Sequence, residues 1–251
     1  MHNFFVESSA RHGNCYVIAR GDFNHIKNVL RMREGDTFLV SESGVNNLCE
    51  IKNFDGECVI AEIIEENFRN TELPTKIYLF QGLPKSDKME LIIQKAVELG
   101  ASAIIPVEMS RCVVKLDDKK KKSKTSRWQA IAESAAKQSK RTVIPEVYDA
   151  VPYKQAITMA AELDMFIVPY ECKDGMKSTA DALSEMTKCK SIGIIIGPEG
   201  GFDDSEIDSA INAGGKVVSL GKRILRTETA AITAVSMCML NLEMNSDGEN
   251  Q

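Results

Sequence analysis

Two loops rich in glycine carry the residue types that could hold a ligand and move a proton. Residues 197–202 are Gly-Pro-Glu-Gly-Gly-Phe, and residues 221–228 are Gly-Lys-Arg-Ile-Leu-Arg-Thr-Glu. Glycine lets a backbone approach a ligand closely. A carboxylate can accept a proton, and an arginine can bind a phosphate or polarise a carbonyl oxygen. The candidate catalytic residues are therefore Arg226, Glu199 and Glu228.

Each candidate also has a purely structural interpretation. Gly200 and Gly201 are compatible with a tight turn before a helix, and Glu199 with a carboxylate that accepts hydrogen bonds from loop amides. Glu228 would be stabilised as an acidic residue in the first turn of a helix. The two loops together are harder to explain as turns, because both follow predicted strands of one sheet.

Several ligand chemistries fit these loops poorly. Neither a GxxxxGK[ST] phosphate loop nor a GxGxxG motif after a strand occurs in the chain. Nucleoside triphosphate hydrolysis and nicotinamide chemistry are therefore disfavoured. Ile224 and Leu225 would instead clasp an apolar or aromatic surface such as adenine, unless they simply pack under the final helix.

The elements around the loops are typical of an α/β domain with a mostly parallel sheet. Apolar runs without alternation predict buried parallel strands at residues 77–80, 103–106, 165–168, 192–196 and 217–220. Helical spacing predicts helices at residues 89–99, 128–139, 204–213 and 227–243. Loops at the carboxyl ends of such strands are where α/β sheets bind ligands.

The first 66 residues have a different pattern. Short apolar or alternating runs predict strands, with a hairpin turn at Asp55-Gly56 and one short helix over residues 23–30. Several short strands with tight turns predict a small barrel. A polar linker then gives two domains, at residues 1–70 and 71–251.

Composition limits the class of protein. The chain has 251 residues, of which 43% are apolar and 27% charged, as in ordinary globular proteins. The formal net charge of −5 argues mildly against a broad nucleic-acid surface.

One segment is nevertheless locally basic. Residues 115–127 hold seven Lys or Arg and two Asp, and the run at residues 119–122 is expected to be a solvated loop. Trp128 could stack on a base, but its helical position favours the core.

The seven cysteines are widely spaced and form no metal-ligand pairs, so we expect reduced thiols and no metal. No signal peptide is evident at the start. The longest nearly apolar stretch, residues 229–242, is shorter than the roughly 18–20 residues of a membrane span. We therefore expect a cytoplasmic protein with no membrane partner.

Five motifs together resemble the ribosomal RNA small subunit methyltransferase E family, over nearly the whole chain. They are Gly-Pro-Glu-Gly-Gly at 197–201, Leu-Gly-Lys-Arg-Ile-Leu-Arg-Thr-Glu-Thr-Ala at 220–230, Gly-Leu-Pro-Lys-Ser-Asp-Lys at 82–88 with Lys-Ala-Val-Glu-Leu-Gly at 95–100, Arg127-Trp128 with Ala-Lys-Gln-Ser-Lys-Arg at 136–141, and His-Ile-Lys-Asn-Val-Leu-Arg at 25–31 with Gly35-Asp36. The first two motifs are the specific ones.

The resemblance implies a SPOUT-type α/β knot, which is a deep C-terminal trefoil knot, with a small N-terminal PUA-like β-barrel. It implies S-adenosyl-L-methionine as the cofactor and a homodimer as the active form. The implied product is N3-methyluridine at position 1498 of 16S ribosomal RNA, so the partner is the small ribosomal subunit. Nothing in the hydrophobic periodicity predicts a knot, which is rare among folds.

Residue roles follow from matching the motifs. The cofactor-binding residues, largely through their backbones, are expected to be Ile196, Gly197, Gly201, Leu220, Gly221, Ile224, Leu225 and Thr227. The RNA-binding residues are expected to be Arg31, Arg33, Lys85, Arg127 and Arg141. All three histidines precede the linker, so removal of the N3 proton falls to a carboxylate or a cation unless the barrel or a partner subunit reaches into the site.

Two other functions remain open at this stage. One is a knotted methyltransferase that acts on transfer RNA or on another ribosomal position, and the other is a non-catalytic RNA-binding assembly factor. Both ligand loops are present, which favours an enzyme. In the final helix the small apolar residues Ala230, Ala231, Ala234, Val235 and Cys238 could belong to a dimer interface or face the sheet.

Overall fold

A computed structural model describes residues 1–170 and 175–246. The chain divides into two compact units. The first comprises Met1–Glu72 together with Ala136–Ile144, and the second comprises Leu73–Ala135 and the chain from Pro145 onward. The division near residue 70 is close to the predicted boundary, but the second segment of the first unit has no counterpart in the prediction.

The first unit is built on a six-stranded sheet in the order β1-β4-β5-β6-β3-β2. The β1–β4 pair is parallel, and the other pairs are antiparallel. The order has β1 and β2 at its two ends, so closure into a barrel stays a prediction. The strands are β1 (Asn3–Val6), β2 (Arg11–His12), β3 (Cys15–Ala19), β4 (Thr37–Glu42), β5 (Val45–Asp55) and β6 (Cys58–Glu65).

Alternating side chains of this sheet build the core of the first unit. In β6, Val59, Ala61 and Ile63 are buried while their neighbours are partly exposed, which is the alternation expected of a sheet with one covered face. The predicted hairpin at Asp55-Gly56 is confirmed by the β5–β6 pairing. The short helix α1 (Arg20–Asn24) continues into one turn of π-helix (His25–Val29), and a 3-10 turn spans Ser8–Ala10.

The segment Ala136–Ile144 is held on the first unit by backbone carbonyl groups. The side-chain amide of Asn3 donates from Nδ2 to the Arg141 carbonyl at 2.9 Å, and the Thr71 hydroxyl donates to the Lys140 carbonyl at 2.9 Å. These bonds join the first strand and the last residues of Met1–Glu72 to chain that follows much later in the sequence. The first unit is therefore discontinuous.

An ion pair at the same place is buried. The Arg141 side chain is 4% exposed and makes several hydrogen bonds to the Glu72 carboxylate, one of them from Nε at 3.1 Å. The Thr142 backbone N–H also donates to Glu72, at 2.9 Å. Burial raises the pKa of Glu72, but Arg141 and Thr142 lower it by more, so the pKa lies below its usual range.

The second unit contains a seven-stranded, fully parallel sheet in the order β10-β8-β7-β12-β11-β13, with β9 also paired to β8. The predicted α/β class is confirmed. The strands are β7 (Lys76–Gly82), β8 (Ala101–Glu108), β9 (Glu146–Val147), β10 (Val151–Pro152), β11 (Met165–Pro169), β12 (Ser191–Ile196) and β13 (Lys216–Val218).

Six helices accompany this sheet. They are α2 (Lys88–Glu98), α3 (Asp118–Ser139), whose last turn belongs to the first unit, α4 (Tyr153–Ala161), α5 (Met176–Met186), α6 (Asp204–Asn212) and α7 (Thr227–Ser246). Helix α7 packs on β7, β12 and α2. A capping box of Asp203 and Glu206 begins α6. None of the helices in residues 1–170 and 175–246 is long and apolar enough to cross a membrane.

Three helices of the second unit differ from the prediction. Helices α4 and α5 were not predicted, and they bury Ala156, Ile157 and Ala160, and Thr179, Ala182 and Met186, respectively. Helix α3 begins at Asp118, so the lysine run is helical rather than a loop, and Lys121 pairs with Glu108 at 3.0 Å.

We expect Glu72→Gln to destabilise the first unit at pH 7 by about 2 kcal/mol, because it leaves the buried Arg141 charge without its partner. A lowered folded-state pKa contributes stability above the unfolded-state value and loses it as the pH falls through the folded-state value. The difference between the variant and the wild type should therefore shrink below about pH 4. Hydrogen exchange of β1 and β4 at pH 7 and pH 4 measures it.

The matched control is Glu66→Gln, which removes a carboxylate paired with Arg11 at the surface. Surface ion pairs contribute about 0–1 kcal/mol, so this variant should change little at either pH. Equal effects of the two substitutions would contradict the structural role given to Glu72.

Candidate functional site

A cavity of about 930 Å³ opens at the carboxyl ends of β11, β12 and β13 in the second unit. Both glycine-rich loops form its walls, as expected from the position of ligand sites in α/β sheets. Its size is within the range of cavities that hold cofactor-sized ligands. It is lined by Lys88, Pro169, Tyr170, Gly175, Met176, Ser219, Ala230, residues 196–199, residues 201–202 and residues 220–227.

The Thr227 hydroxyl joins the elements that surround this cavity. It donates to the Gly197 carbonyl at 2.7 Å and accepts a hydrogen bond from Gln81 Nε2 at 3.0 Å. Thr227 is buried, and Gln81 is fully buried. One hydroxyl group therefore ties the start of α7 to the ends of β7 and β12.

Two glycines allow the loops to come this close. A Cβ atom at Gly82 would lie 2.7 Å from the Pro198 backbone nitrogen, so the first loop can cross the end of β7 only over a glycine. Gly221 has φ +104°, a conformation that L side chains rarely adopt. It therefore turns the chain into the second loop.

Lys88, at the start of α2, pairs with carboxylates from two elements. Its Nζ lies 3.1 Å from Glu199 Oε1 and 3.2 Å from Glu228 Oε2. The Lys85 backbone N–H also donates to Glu199 Oε1, at 3.0 Å. Glu228 Oε2 is buried, and the ion pair with Lys88 is the contact that offsets its burial.

These contacts change the acid–base behaviour of the pair. Burial raises the pKa of Glu199, but the Lys85 N–H, its own backbone N–H and the Lys88 ammonium together hold it below the usual range. The hydrogen bond to Glu199, followed by the one to Glu228, raises the pKa of Lys88. Near neutral pH, Glu199 is therefore a weak base and Lys88 a cation.

Arg226 and Ile224 present free side chains to the cavity. Arg226 is exposed, and within residues 1–170 and 175–246 its guanidinium group makes no ion pair. Ile224 is 93% exposed although it is a large apolar residue. An unpaired cation and an uncovered apolar side chain at one cavity suit a ligand that has both an anionic or carbonyl group and an apolar ring.

Two family models match the chain. An RNA methyltransferase domain matches residues 71–239, and an RNA methyltransferase PUA domain matches residues 18–68. The first match covers the parallel sheet and the cavity, and the second covers most of the antiparallel sheet.

Named relatives agree with these matches. A ribosomal RNA small subunit methyltransferase E of Bacillus subtilis is 40% identical, with 97% of this chain and 98% of the relative covered. A protein with the same name in Mesomycoplasma hyopneumoniae is 33% identical, with 95% and 99% covered. A crystal structure of the Neisseria gonorrhoeae protein of this name, bound to S-adenosyl methionine, is 31% identical with a TM-score of 0.80, and 94% of this chain and 95% of that one are covered.

The parallel sheet, the cavity between two glycine-rich loops and the family matches define an RNA methyltransferase with a PUA domain. Within that class, the chain belongs to the ribosomal RNA small subunit methyltransferase E family. The similar solved structures from Neisseria gonorrhoeae and Legionella pneumophila hold S-adenosylmethionine.

The cavity is compatible with that cofactor. Its volume of about 930 Å³ suffices for an adenosine with an amino-acid chain. The uncovered Ile224 and the half-buried Leu225 offer apolar surface to adenine. No group of three or more metal-ligating side chains occurs in the part of the chain that the structure describes.

All eight residues predicted to bind the cofactor line this cavity, and their contacts with it stay a prediction. Of the candidate catalytic residues, Arg226 and Glu199 line it as well. Glu228 lies behind them and reaches the site through Lys88.

The residues predicted to bind RNA lie in both units. Arg31 and Arg33 are exposed in the first unit, and Lys85 and Arg127 are exposed in the second. Arg127 forms a two-fold ion pair with Glu90, through Nε at 2.8 Å and Nη2 at 2.9 Å. Arg141 is a correction, because its side chain is buried against Glu72 and has little surface to offer RNA.

The burial of Trp128 and of the apolar residues in α7 decides between the interpretations that the sequence left open. Trp128 belongs to the core, at 4% exposure. In α7, Ala231, Ala234, Val235 and Cys238 are buried within the chain, so this stripe faces the sheet and its neighbouring helices rather than a second copy. The cysteines in the described residues are free thiols, and Cys172 lies outside those residues.

Sequence reasoning missed Lys88 and Gln81 as parts of the site. Gln81 lies at the carboxyl end of β7, and Lys88 is the first residue of α2 and the last of the Gly-Leu-Pro-Lys-Ser-Asp-Lys motif at residues 82–88. The position at a strand end could have indicated them, but neither residue type has a spacing that identifies its partner.

We expect Thr227→Val to weaken both the second unit and cofactor binding. The valine keeps the shape but leaves the buried Gly197 carbonyl and the Gln81 amide without their partner, at a cost of about 1–3 kcal/mol. Unfolding in urea, followed by the fluorescence of Trp128, and calorimetric titration with S-adenosylmethionine measure the two effects.

Thr158→Val is the matched control, because Thr158 is exposed and its hydroxyl bonds only within α4, to the Lys154 carbonyl. It should bind and unfold like the wild type. If Thr227→Val behaved in the same way as this control, the bridging role of Thr227 would be wrong.

Proposed function

We propose that this chain methylates N3 of a uridine in the 16S ribosomal RNA of the small subunit, at position 1498, with S-adenosylmethionine as the methyl donor. The relatives at 40% and 33% identity carry the name of small-subunit ribosomal RNA methyltransferases, which supports the substrate class. The choice of uridine N3 rests on the motifs of the two glycine-rich loops.

One observation carries the catalytic proposal. Of the cations that line the cofactor cavity, Lys88 is paired with Glu199 and Glu228, whereas Lys222, Arg223 and Arg226 make no ion pair within the described residues. Arg226 is the one next to Thr227, which bonds to the Gly197 carbonyl. A free guanidinium can bind a phosphate or an anionic uracil oxygen. Arg226 thus stabilises the negative charge that develops on the base.

The N3 proton has to leave as the base attacks. When bound, S-adenosylmethionine supplies an electrophilic methyl group, whose bond to sulfur breaks with its electron pair on sulfur as the N3 lone pair bonds to carbon. The proton passes to a carboxylate of the chain and then to solvent. Glu228, which is joined to the cavity wall through Lys88, is the proposed acceptor, because the lowered pKa of Glu199 makes that carboxylate a weak base and its hydrogen bonds anchor the loop.

RNA is held by local basic groups rather than by overall charge. The net charge of −5 is too negative for broad attraction to phosphate. Arg31 and Arg33 in the first unit, and Lys85 and Arg127 in the second, are exposed and available to backbone phosphates.

We also propose the C-terminal trefoil knot and the homodimer. The knot is supported by the path of the chain, because β13 pairs at one edge of the sheet whereas Thr227 is bonded beside β7 and β12 in its middle. For the dimer, Leu240 and Met244 leave apolar surface on α7 that a second copy could cover. The working compartment would be the cytoplasm.

The test is to incubate the protein and S-adenosylmethionine with small subunits from a strain that lacks this methyltransferase, and to analyse the nucleosides by mass spectrometry. N3-methyluridine in the 16S RNA is the expected product. Another methylated nucleoside, or methylation of transfer RNA alone, would favour a different target. A failure to bind the cofactor in calorimetry would favour a non-catalytic RNA-binding factor.

We expect Arg226→Ala to reduce methyl transfer by about 100-fold or more, since an electrostatic stabiliser of the transition state is lost. Its affinity for S-adenosylmethionine should change little, because the loops are held by Thr227 and by backbone groups. Single-turnover assays and calorimetric titration separate these effects. Lys188→Ala removes an exposed cation outside the cavity and should be inert. Turnover by Arg226→Ala equal to that control would exclude the role.

A further inference from the structure

One cation lies between carboxylates from two separate elements at the wall of the cofactor cavity. Lys88 Nζ is 3.1 Å from Glu199, which belongs to the loop after β12, and 3.2 Å from Glu228, which lies in the first turn of α7. The side chains of Lys88, Glu199 and Glu228 are 30%, 27% and 15% exposed. The cluster is therefore largely screened from bulk water.

The two carboxylates need a cation between them to remain in place. Both have an oxygen within hydrogen-bond distance of the same nitrogen, so without Lys88 they would face each other as like charges in a partly buried site. Two carboxylates that share a site repel, and one of them becomes easier to protonate. This repulsion would act against the hydrogen bond of Thr227 to Gly197, which joins the start of α7 to the first loop.

Other groups fix only part of this arrangement. Glu199 also accepts a hydrogen bond from the Lys85 backbone N–H, at 3.0 Å. For the Glu228 oxygen that faces Lys88, the structure gives no hydrogen bond that would replace the ion pair. The orientation of Glu228 thus depends on Lys88 more than that of Glu199 does.

We propose that Lys88 is a positioning residue for methyl transfer, whose ammonium group ties Glu199 to Glu228 and directs Glu228 as the proton acceptor beside the cofactor cavity. The ion-pair bridge stands on the geometry alone. The catalytic consequence rests on the proposed function.

The charged and titratable groups around Lys88 come from several elements. They are Lys85 and Asp87 before α2, Cys112, which is close enough to respond to the charge of Glu199, Glu199 itself, Lys222 and Arg223 in the second loop, and Arg226 and Glu228 at the start of α7. Among the described residues, Lys88 is the cation that pairs with both carboxylates.

The bridge is tested first without cofactor or substrate. Protein labelled with ¹³C at the Glu carboxyl groups is titrated by NMR, and the Glu199 signal is assigned with Glu199→Gln. In Lys88→Met the pKa of Glu199 should rise, because its cation is lost. In Glu228→Gln the pKa of Glu199 should fall, because Lys88 then forms an ion pair with Glu199 alone. A merely structural role of Lys88 does not predict opposite signs.

The positioning role is tested by kinetics on the same variants. Lys88→Met should lower kcat by about 100-fold, as expected for a misplaced proton acceptor, and should change KM for S-adenosylmethionine by less than about threefold. Lys88→Arg, which can still pair with both carboxylates, should recover a large part of kcat. Methyl transfer by Lys88→Met should also require higher pH than by the wild type.

Lys95→Met is the matched control, because Lys95 is an ion-paired lysine on the same helix, bonded to Glu98 at 2.9 Å. It should leave both the Glu199 titration and kcat unchanged. A folded Lys88→Met protein with wild-type kcat, or with an unshifted Glu199 titration, would overturn the proposal. If Lys88→Met does not fold, Glu228→Gln tests the bridge instead. A lower Glu199 pKa in that variant supports the bridge, and an unchanged Glu199 pKa overturns it.

The two proposals fail in different ways. If the wild type makes a product other than N3-methyluridine, the proposed function is wrong, while the NMR titration still decides the bridge. If N3-methyluridine forms but the titration does not shift, the positioning role is wrong and the proposed function stands.

Discussion

The cofactor cavity depends on a single hydroxyl group. Thr227 bonds to the Gly197 carbonyl and to the Gln81 amide, and so fixes the start of α7 against the ends of two neighbouring strands. The first loop leaves β12 at this point, and the second loop ends at Thr227, so the 2.7 Å contact joins the start of one loop to the end of the other. The glycine at position 82 permits this contact, because any side chain there would collide with Pro198.

Around this point the charged residues divide into two groups. Lys88, Glu199 and Glu228 satisfy one another and form part of the wall. Lys222, Arg223 and Arg226 line the cavity without an ion-pair partner in the described part of the chain. Unpaired cations held at a cavity can stabilise a negative charge that develops there, which is the condition for electrostatic catalysis.

Much of the site was predictable because its residues are adjacent in sequence. The two glycine-rich loops place eight predicted residues on one cavity, since each follows a strand of the same parallel sheet. Lys88 was not predictable, because its partners lie far along the chain and no spacing relates them. Arg141 was misassigned for a similar reason, since its positive charge is visible in the sequence but its buried partner Glu72 is not.

Some elements of the fold were predictable from the sequence and others were not. The buried strands β7, β11 and β12 have strong apolar runs and were predicted, whereas α4 and α5, which bury Ile157 and Met186 beside smaller side chains, were missed. The extension of α3 to Asp118 was hidden by four consecutive lysines, which helix propensity tolerates but which also suit a solvated loop.

The discontinuity of the first unit constrains the order of events during protein synthesis. Its sheet is complete when β6 has been made, but the carbonyl groups and the arginine that bind Asn3, Thr71 and Glu72 belong to Ala136–Ile144. Those groups leave the ribosome only after β7, α2, β8 and most of α3 have been translated. The amino-terminal unit therefore emerges first but can finish folding only after Leu73–Ala135 of its neighbour has been made, and until then the Glu72 carboxylate has no Arg141 to pair with.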